Sequence, residues 1–165
     1  MDILAHWFNT IKENGWIPRE QMRGKQAESN LPYELFEDPK AGNPPSFMFV
    51  LQYLVEGLDK TKPDDRIVNF LQNIFPRVEL WFNWFDTTLS NQQPNLVGTY
   101  MWRDVYEQGA LSSGLDDYPR GYRVSQKGNV HADLQLWMIT FSKFMATFID
   151  QIEAITKKKI SQKTS

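Results

Sequence analysis

The chain has 165 residues, 41% of them hydrophobic and 14% aromatic, with eighteen basic against twenty acidic residues and a formal charge of −2. That length suits one domain and is short for two, and the near-balanced charge leaves no electrostatic footprint for nucleic acid. With no cysteine and only two histidines, His6 and His131, far apart in the chain, there is no disulfide framework and no metal-ligand spacing.

Residues 2–14 carry Ile3, Leu4, Trp7, Phe8 and Ile11 at three-and-four spacing, which predicts an amphipathic helix with Asp2 as N-cap and Gly15 as its stop. His6 beside that face reads as a packed histidine rather than a ligand. Residues 15–43 form a long irregular stretch holding Trp16, Arg19, Glu20, Arg23, Glu28, Pro32, Glu34 and Pro39. Loops of that length inside one domain are usually functional or disordered, and Arg19 and Glu20 stand between a site role and a solvated surface. Asn43-Pro44-Pro45 is a helix start, with Asn43 as N-cap and Pro44 at the first helical position. The helix is expected to reach about Leu58, with Phe47, Val50, Leu51, Leu54 and Val55 as its apolar face. Residues 60–65 are polar, contain Pro63 and connect to a second helical run from Asp64 to about Thr88. Pro76 predicts a kink or break in that run near Ile74 or Phe75. Its stripe of Ile67, Phe70, Leu71, Ile74, Val78, Leu80, Trp81, Trp84 and Phe85 reads as core, with a sugar platform as the alternative for Trp81 and Trp84.

Asn91 to Pro94 is a turn, and Gly98 to Arg103 is short and mixed, compatible with an extended segment. Arg103 beside Trp102 suggests a guanidinium stacked on an indole and aimed at hydroxyls. Residues 111–120, Leu-Ser-Ser-Gly-Leu-Asp-Asp-Tyr-Pro-Arg, suit neither helix nor strand and mark a loop. Within five positions it concentrates Asp116, Asp117, Tyr118 and Arg120: two carboxylates, a phenol and a guanidinium, a set that fits a polar substrate with many hydroxyls. The plainer alternative is an acidic interhelix turn with Asp116 or Asp117 capping a helix. After a further loop, a final helix is expected from about Val130 to Thr156, striped by Leu134, Trp137, Met138, Phe141, Met145, Phe148, Ile152 and Ile155. His131 and Asp133 stand at its start, where the helix dipole favours a carboxylate. Residues 157–165 form a basic, polar tail expected to fray, so the partial helical domain is placed at residues 1–156. There is no sustained strand alternation, no internal repeat, no apolar run long enough to span a bilayer, and none after Met1 that reads as a signal peptide.

The segment Ser113-Gly114-Leu115-Asp116-Asp117-Tyr118-Pro119-Arg120 resembles a signature of the processing α-glucosidase I family, the mannosyl-oligosaccharide glucosidases that trim the outermost glucose from N-glycan precursors. Residues 98–104, Gly-Thr-Tyr-Met-Trp-Arg-Asp, and 131–138, His-Ala-Asp-Leu-Gln-Leu-Trp-Met, share the resemblance. So do Gly15-Trp16-Ile17-Pro18-Arg19-Glu20-Gln21, Asn43-Pro44-Pro45 and Pro76-Arg77, so that it runs with gaps from about residue 5 to about residue 138. Several separate motifs in one order are more specific than any one alone.

The resemblance implies an all-α fold in which helical hairpins build an (α/α)6 toroid around a central active site, with long loops gathered at one end. At about 11–12 residues per helix plus loops, this chain supplies about five or six helices, part of such a barrel, with apolar flanks exposed. The implied activity is an inverting exo-α-glucosidase removing terminal α-1,2-linked glucose, with a protonated acid and a second carboxylate set apart to admit a water. Asp116 matches the general acid, Arg120 a sugar-binding cation and Tyr118 a pocket wall, while Asp117 is the local competitor for the acid role. Arg103, Trp102, Arg19, Glu20, Asp133 and His131 complete the expected substrate-binding set. The family's general base is a glutamate in a later segment than any in this sequence, and Asn129 stands where the family tends to carry a glutamate four positions before the match to Asp133. The alternatives are a catalytically incomplete sugar-binding or structural fragment, or a helical scaffold for a protein partner. The implied partners are a glucosylated high-mannose N-glycan and the remaining parts of the same catalytic domain, without cofactor, nucleic acid or membrane contact from this segment, and the implied location is the endoplasmic reticulum.

Overall fold

A computed structural model describes residues 1–21, 24–30, 38–59, 61–103, 111–115 and 130–163. They contain five α-helices: α1 (Asp2–Phe8), α2 (Lys25–Asn30), α3 (Phe47–Glu56), α4 (Asp65–Thr88) and α5 (Ala132–Lys163), with 3-10 turns at Pro94–Leu96 and Leu111–Ser113. Among the described residues the only extended pairing is a single antiparallel bridge between Ser90 and Tyr100, and no helix is long and apolar enough to cross a membrane. The expected all-α class is what these residues adopt.

The fold is built on an antiparallel pair, α4 and α5. Asp64 caps α4 by accepting the Arg66 N–H at 2.8 Å, and Val68, Leu71, Ile74, Val78, Trp81 and Phe85 then recur every three or four residues as one buried stripe. Near the C-terminal end of α4, Trp81 and Phe82 meet Phe141 of α5 at ring separations of 4.9 and 5.0 Å. Further down, Phe75 meets Phe148 at 5.8 Å. Tilted and edge-on ring pairs of this kind add about 0.5–1.5 kcal/mol each beyond their buried area. Against this pair lie α1, through Phe8 edge-on to Trp81 at 5.4 Å, and α3, through Phe49 against Trp137 at 5.7 Å. Trp81 and Trp84 are thus core residues, 4% and 2% exposed, and the Trp84 indole donates to the Pro39 carbonyl at 3.2 Å.

Several boundaries differ from the expectation, each for a tertiary reason. The first helix stops at Phe8, because Thr10 turns back onto the Trp7 carbonyl with both its N–H and its hydroxyl, at 3.0 and 2.6 Å; Asp2 lies in the first turn and Met1 is the N-cap. His6 is exposed, not packed, and donates from Nε2 to Gln21 Oε1 at 2.9 Å. Helix α3 begins at Phe47 after Ser46, since Asn43 uses its side chain elsewhere. Its buried residues are Met48, Leu51 and Val55, whereas Val50 is exposed. Helix α4 runs unbroken through Pro76. That proline lies on the solvent side while Ile74 and Val78 are buried on either side of it, so packing outweighs the roughly 3 kcal/mol penalty of an interior proline. The neighbouring Arg77 donates to Asn9 Oδ1 at 2.9 Å, tying α4 to the end of α1. Helix α5 continues through the expected tail as far as Lys163, helped by an i,i+4 pair between Glu153 and Lys157 at 3.1 Å.

Gly15 shows how close the first loop comes to α4. Its φ is +91°, and a Cβ there would lie 2.1 Å from the Leu80 carbonyl oxygen. Gly98 has φ +80° but nothing within 4 Å of such a Cβ. Gly98→Ala is therefore expected to cost about 1–2 kcal/mol from the left-handed backbone alone. Gly15→Ala adds a backbone collision and should cost about 3 kcal/mol or more. Urea denaturation of the two variants checks the ranking, and equal losses would show that Gly15 does not sit against Leu80.

Candidate functional site

The stretch after α1 folds into one wall of a cavity. Trp16 is buried and its indole donates to the Ala41 carbonyl at 2.7 Å, which holds residues 16–19 beside 41–44. Arg19 and Asn43 then bind each other reciprocally: Arg19 Nε donates to Asn43 Oδ1 at 3.3 Å, and Asn43 Nδ2 donates to the Arg19 carbonyl at 2.8 Å. The cavity they border has a volume of about 460 Å³, with Trp7, Phe47 and Trp81 as its aromatic lining and Arg19, Asn43 and Pro44 among its polar and rim residues. Its size falls within the usual range for small-ligand sites. Glu20, next to Arg19, is exposed.

The Leu111–Ser113 turn lies beside this cavity, not among the residues that line it. Ser112 is fully buried and its hydroxyl donates to the Arg103 carbonyl at 3.2 Å; Ser113 Oγ accepts the Leu115 N–H at 3.1 Å. Gly114 takes the left-handed conformation, φ +73°, and a Cβ there would lie 3.9 Å from Pro44 Cγ. Two stretches about 70 residues apart in sequence thus meet beside the cavity, at Pro44 and Gly114. Asp116, Asp117, Tyr118 and Arg120, expected at the site, lie outside the described residues, as do Arg23, Pro32, Glu34, Asp104 and Asn129.

The remaining expected residues gather behind that turn. Trp102 is fully buried. Its backbone N–H donates to His131 Nδ1 at 3.0 Å and its indole to Asp133 Oδ2 at 2.9 Å. Arg103, expected to stack on that indole, instead donates from Nε and Nη2 to the Thr88 and Ser90 carbonyls at 2.8 and 3.2 Å. Those carbonyls lie at the C-terminal end of α4, where acceptors lack helical partners and a cation is favoured. Tyr100, two residues earlier, donates its hydroxyl to Asp86 at 2.5 Å; burial, and then this carboxylate, push its pKa up to about 12. Among the described residues no group of three or more His, Cys, Asp or Glu side chains could hold a metal ion.

Arg19 therefore stands on the cavity wall, while Trp102, Arg103, His131 and Asp133 form a second cluster linked to the first through Ser112 and Gly114. Sequence reasoning missed Asn43 as the partner of Arg19, and missed Trp7 and Phe47 as cavity lining. The signal for Asn43 was its place in a motif that accompanies the Arg19 motif.

The structure thus defines an all-α domain whose loops meet beside an aromatic-lined cavity. The whole chain, residues 1–165, matches the sequence profile of the glycosyl hydrolase family 63 C-terminal domain, and the chain belongs to that family. It is 36% identical over 150 residues to the mannosyl-oligosaccharide glucosidase GCS1 of Arabidopsis thaliana, covering 84% of this chain and 17% of that protein. Alpha-glucosidase 2 of the same plant is 35% identical over 151 residues, covering 84% and 18%. A probable mannosyl-oligosaccharide glucosidase of Schizosaccharomyces pombe is 30% identical over 196 residues, covering 95% of this chain and 24% of that protein. The chain thus spans between 17% and 24% of the length of these curated relatives.

The Tyr100–Asp86 bond can be checked by alkaline titration. Because the folded pKa is raised above the ordinary value of about 10, the protonated phenol's contribution to stability is complete below about pH 10 and is lost as the pH rises through about 12. One of the six tyrosines should ionise late when followed by ultraviolet absorbance, and Asp86→Asn should move that late step toward the others. A set of tyrosines that all titrate together would show that the bond is not held in solution.

Proposed function

We propose that this chain is part of the catalytic domain of an inverting exo-α-glucosidase that removes terminal α-1,2-linked glucose from an N-glycan precursor. In this reading the helices are a portion of an (α/α)6 toroid, and the protein works in the endoplasmic reticulum on glucosylated high-mannose oligosaccharide. The observation that supports it is that the Arg19–Asn43 pair borders an aromatic-lined cavity and that Gly114 lies against Pro44, one of the residues lining that cavity. Sugar rings place apolar C–H faces on aromatic side chains and hydroxyls on polar ones. Asp116 lies two residues beyond Gly114 in sequence and serves as the general acid; Arg120, Asp117 and Tyr118 bind and enclose the sugar, with Arg19 and Glu20 as further binding residues. The second carboxylate, which activates water on the far side of the ring, comes from segments of the family's proteins outside the stretch matched here. The chain by itself then binds a glucose-shaped ligand with little or no turnover.

Two measurements test this. The 165-residue chain should bind the iminosugar deoxynojirimycin by calorimetry. Asn43→Ala, which removes one hydrogen-bond partner of Arg19, should weaken that binding about 2–10-fold, the worth of one ordinary hydrogen bond, with little change in melting temperature. Rapid hydrolysis of a terminal α-1,2-glucoside by this chain alone would mean that its second carboxylate lies within these residues. In a longer protein or chimera carrying the rest of the domain, Asp116→Asn should slow oligosaccharide cleavage by about 10²–10⁴-fold. It should slow cleavage of a glucosyl fluoride far less, because fluoride leaves without protonation. Asp117→Asn should affect both substrates about equally, and the reverse pattern would exchange the two roles.

A further inference from the structure

We infer that Trp102, His131 and Asp133 form a clasp that positions the Ser112–Leu115 turn, from which the candidate acid motif leads, and that His131 and Asp133 act through Trp102 and not on sugar. This rests on the glycosidase reading for its purpose but on separate contacts for its existence. Trp102 lies just before residues 104–129 in the chain, and His131 just after them. Three hydrogen bonds tie these two points. Trp102 N–H reaches His131 Nδ1 at 3.0 Å, Trp102 Nε1–H reaches Asp133 Oδ2 at 2.9 Å, and His131 N–H reaches the Tyr100 carbonyl at 3.0 Å. Each end is itself anchored. Arg103 is bound to the end of α4 through Thr88 and Ser90, and Asp133 lies in the first turn of α5, where its charge is favoured.

The chemistry of the three bonds separates positioning from substrate contact. His131 Nδ1 accepts a backbone N–H, so the neutral ring carries its proton on Nε2. The indole donates to a carboxylate, a charge-assisted bond stronger than one between neutral groups. Trp102 is fully buried, and its N–H donors are directed at His131, just before α5, and at Asp133 in its first turn. A sugar hydroxyl seeking Asp133 Oδ2 would have to compete with that indole. The clasp reaches the turn through Arg103: its carbonyl, next to Trp102, accepts the buried Ser112 hydroxyl at 3.2 Å. Gly114 then lies against Pro44 at the cavity. Any shift of Trp102 is passed to the place where the acid motif begins.

Amide hydrogen exchange on the intact 165-residue chain, with deoxynojirimycin binding measured on the same samples, tests this. Trp102→Phe keeps a buried ring and removes the indole donor. Asp133→Leu removes the acceptor, and Asp133→Asn restores a neutral one. Exchange in residues 100–103 and 112–115 should quicken at least tenfold in Trp102→Phe and Asp133→Leu, while the amides of residues 68–85 in α4 keep their wild-type rates. Asp133→Asn should recover most of the protection, and iminosugar affinity should fall and recover in step. Exchange that quickens equally along α4 would reduce the three residues to ordinary core stability and overturn the proposal. So would unchanged exchange at 112–115 with lost affinity, which would make Asp133 a direct sugar ligand, or an Asn variant as unprotected as Leu. If the wild-type chain binds no iminosugar, the sugar-binding reading fails, and the exchange pattern alone still decides the clasp.

Discussion

The indole of Trp81 sits where the helices meet. Phe8 of α1 touches it edge-on, Phe47 of α3 lies at 5.8 Å, Phe85 follows one turn later on α4, and Phe141 of α5 comes within 4.9 Å. Large-to-small changes at such a ring cost about 3–5 kcal/mol, a large part of the 5–15 kcal/mol that holds a typical domain folded. The same ring also lines the cavity. The floor on which a ligand would lie is therefore part of the packed core, and a floor of that kind does not shift when a ligand arrives.

The loops can meet at this end because the antiparallel α4–α5 pair puts the end of one helix beside the start of the other. Arg103 uses the Thr88 and Ser90 carbonyls at the end of α4, and Asp133 uses the favourable potential at the start of α5. The segment from Ser90 to Trp102 is held between them by the Ser90–Tyr100 bridge, by Tyr100 to Asp86 and by Asn91 to Thr99. Helix ends, which have spare hydrogen-bonding groups, thus organise residues that a sequence reading assigns to ligand binding. The Arg19–Asn43 pair does the same for the cavity wall, with no helix end involved.

The helical frame was largely legible in the amino-acid sequence. The stripes of α4 and α5 repeat every three or four residues, and the Asp64 cap stands where its residue type belongs. What periodicity could not supply were contacts over long separations. Asn43 before two prolines has every local mark of an N-cap, yet its amide is taken by Arg19, 24 residues away. Pro76 has every mark of a break, yet burial on both sides of it keeps α4 whole. Trp102 beside Arg103 suggested a stacked pair, but their partners lie 29 and 31 residues ahead for the one, and 13 and 15 behind for the other. Arg19, Asn43, Pro44 and Gly114, which belong to separate sequence motifs, come together in space beside the cavity. The roles of individual side chains were decided by hydrogen-bond partners that no local pattern encodes.

The meeting of the Asn43-Pro44 and Ser113-Gly114 stretches beside the cavity can be measured directly, because the chain has no cysteine. The double variant Pro44→Cys with Gly114→Cys places two thiols where Pro44 Cγ and a Gly114 Cβ lie 3.9 Å apart, within range of a disulfide or of a short thiol-bridging reagent. The folded chain should form an intramolecular cross-link quickly under native conditions, and that rate should collapse in urea, with each single-cysteine variant as a blank. A cross-linking rate in native buffer no higher than in urea would contradict the account.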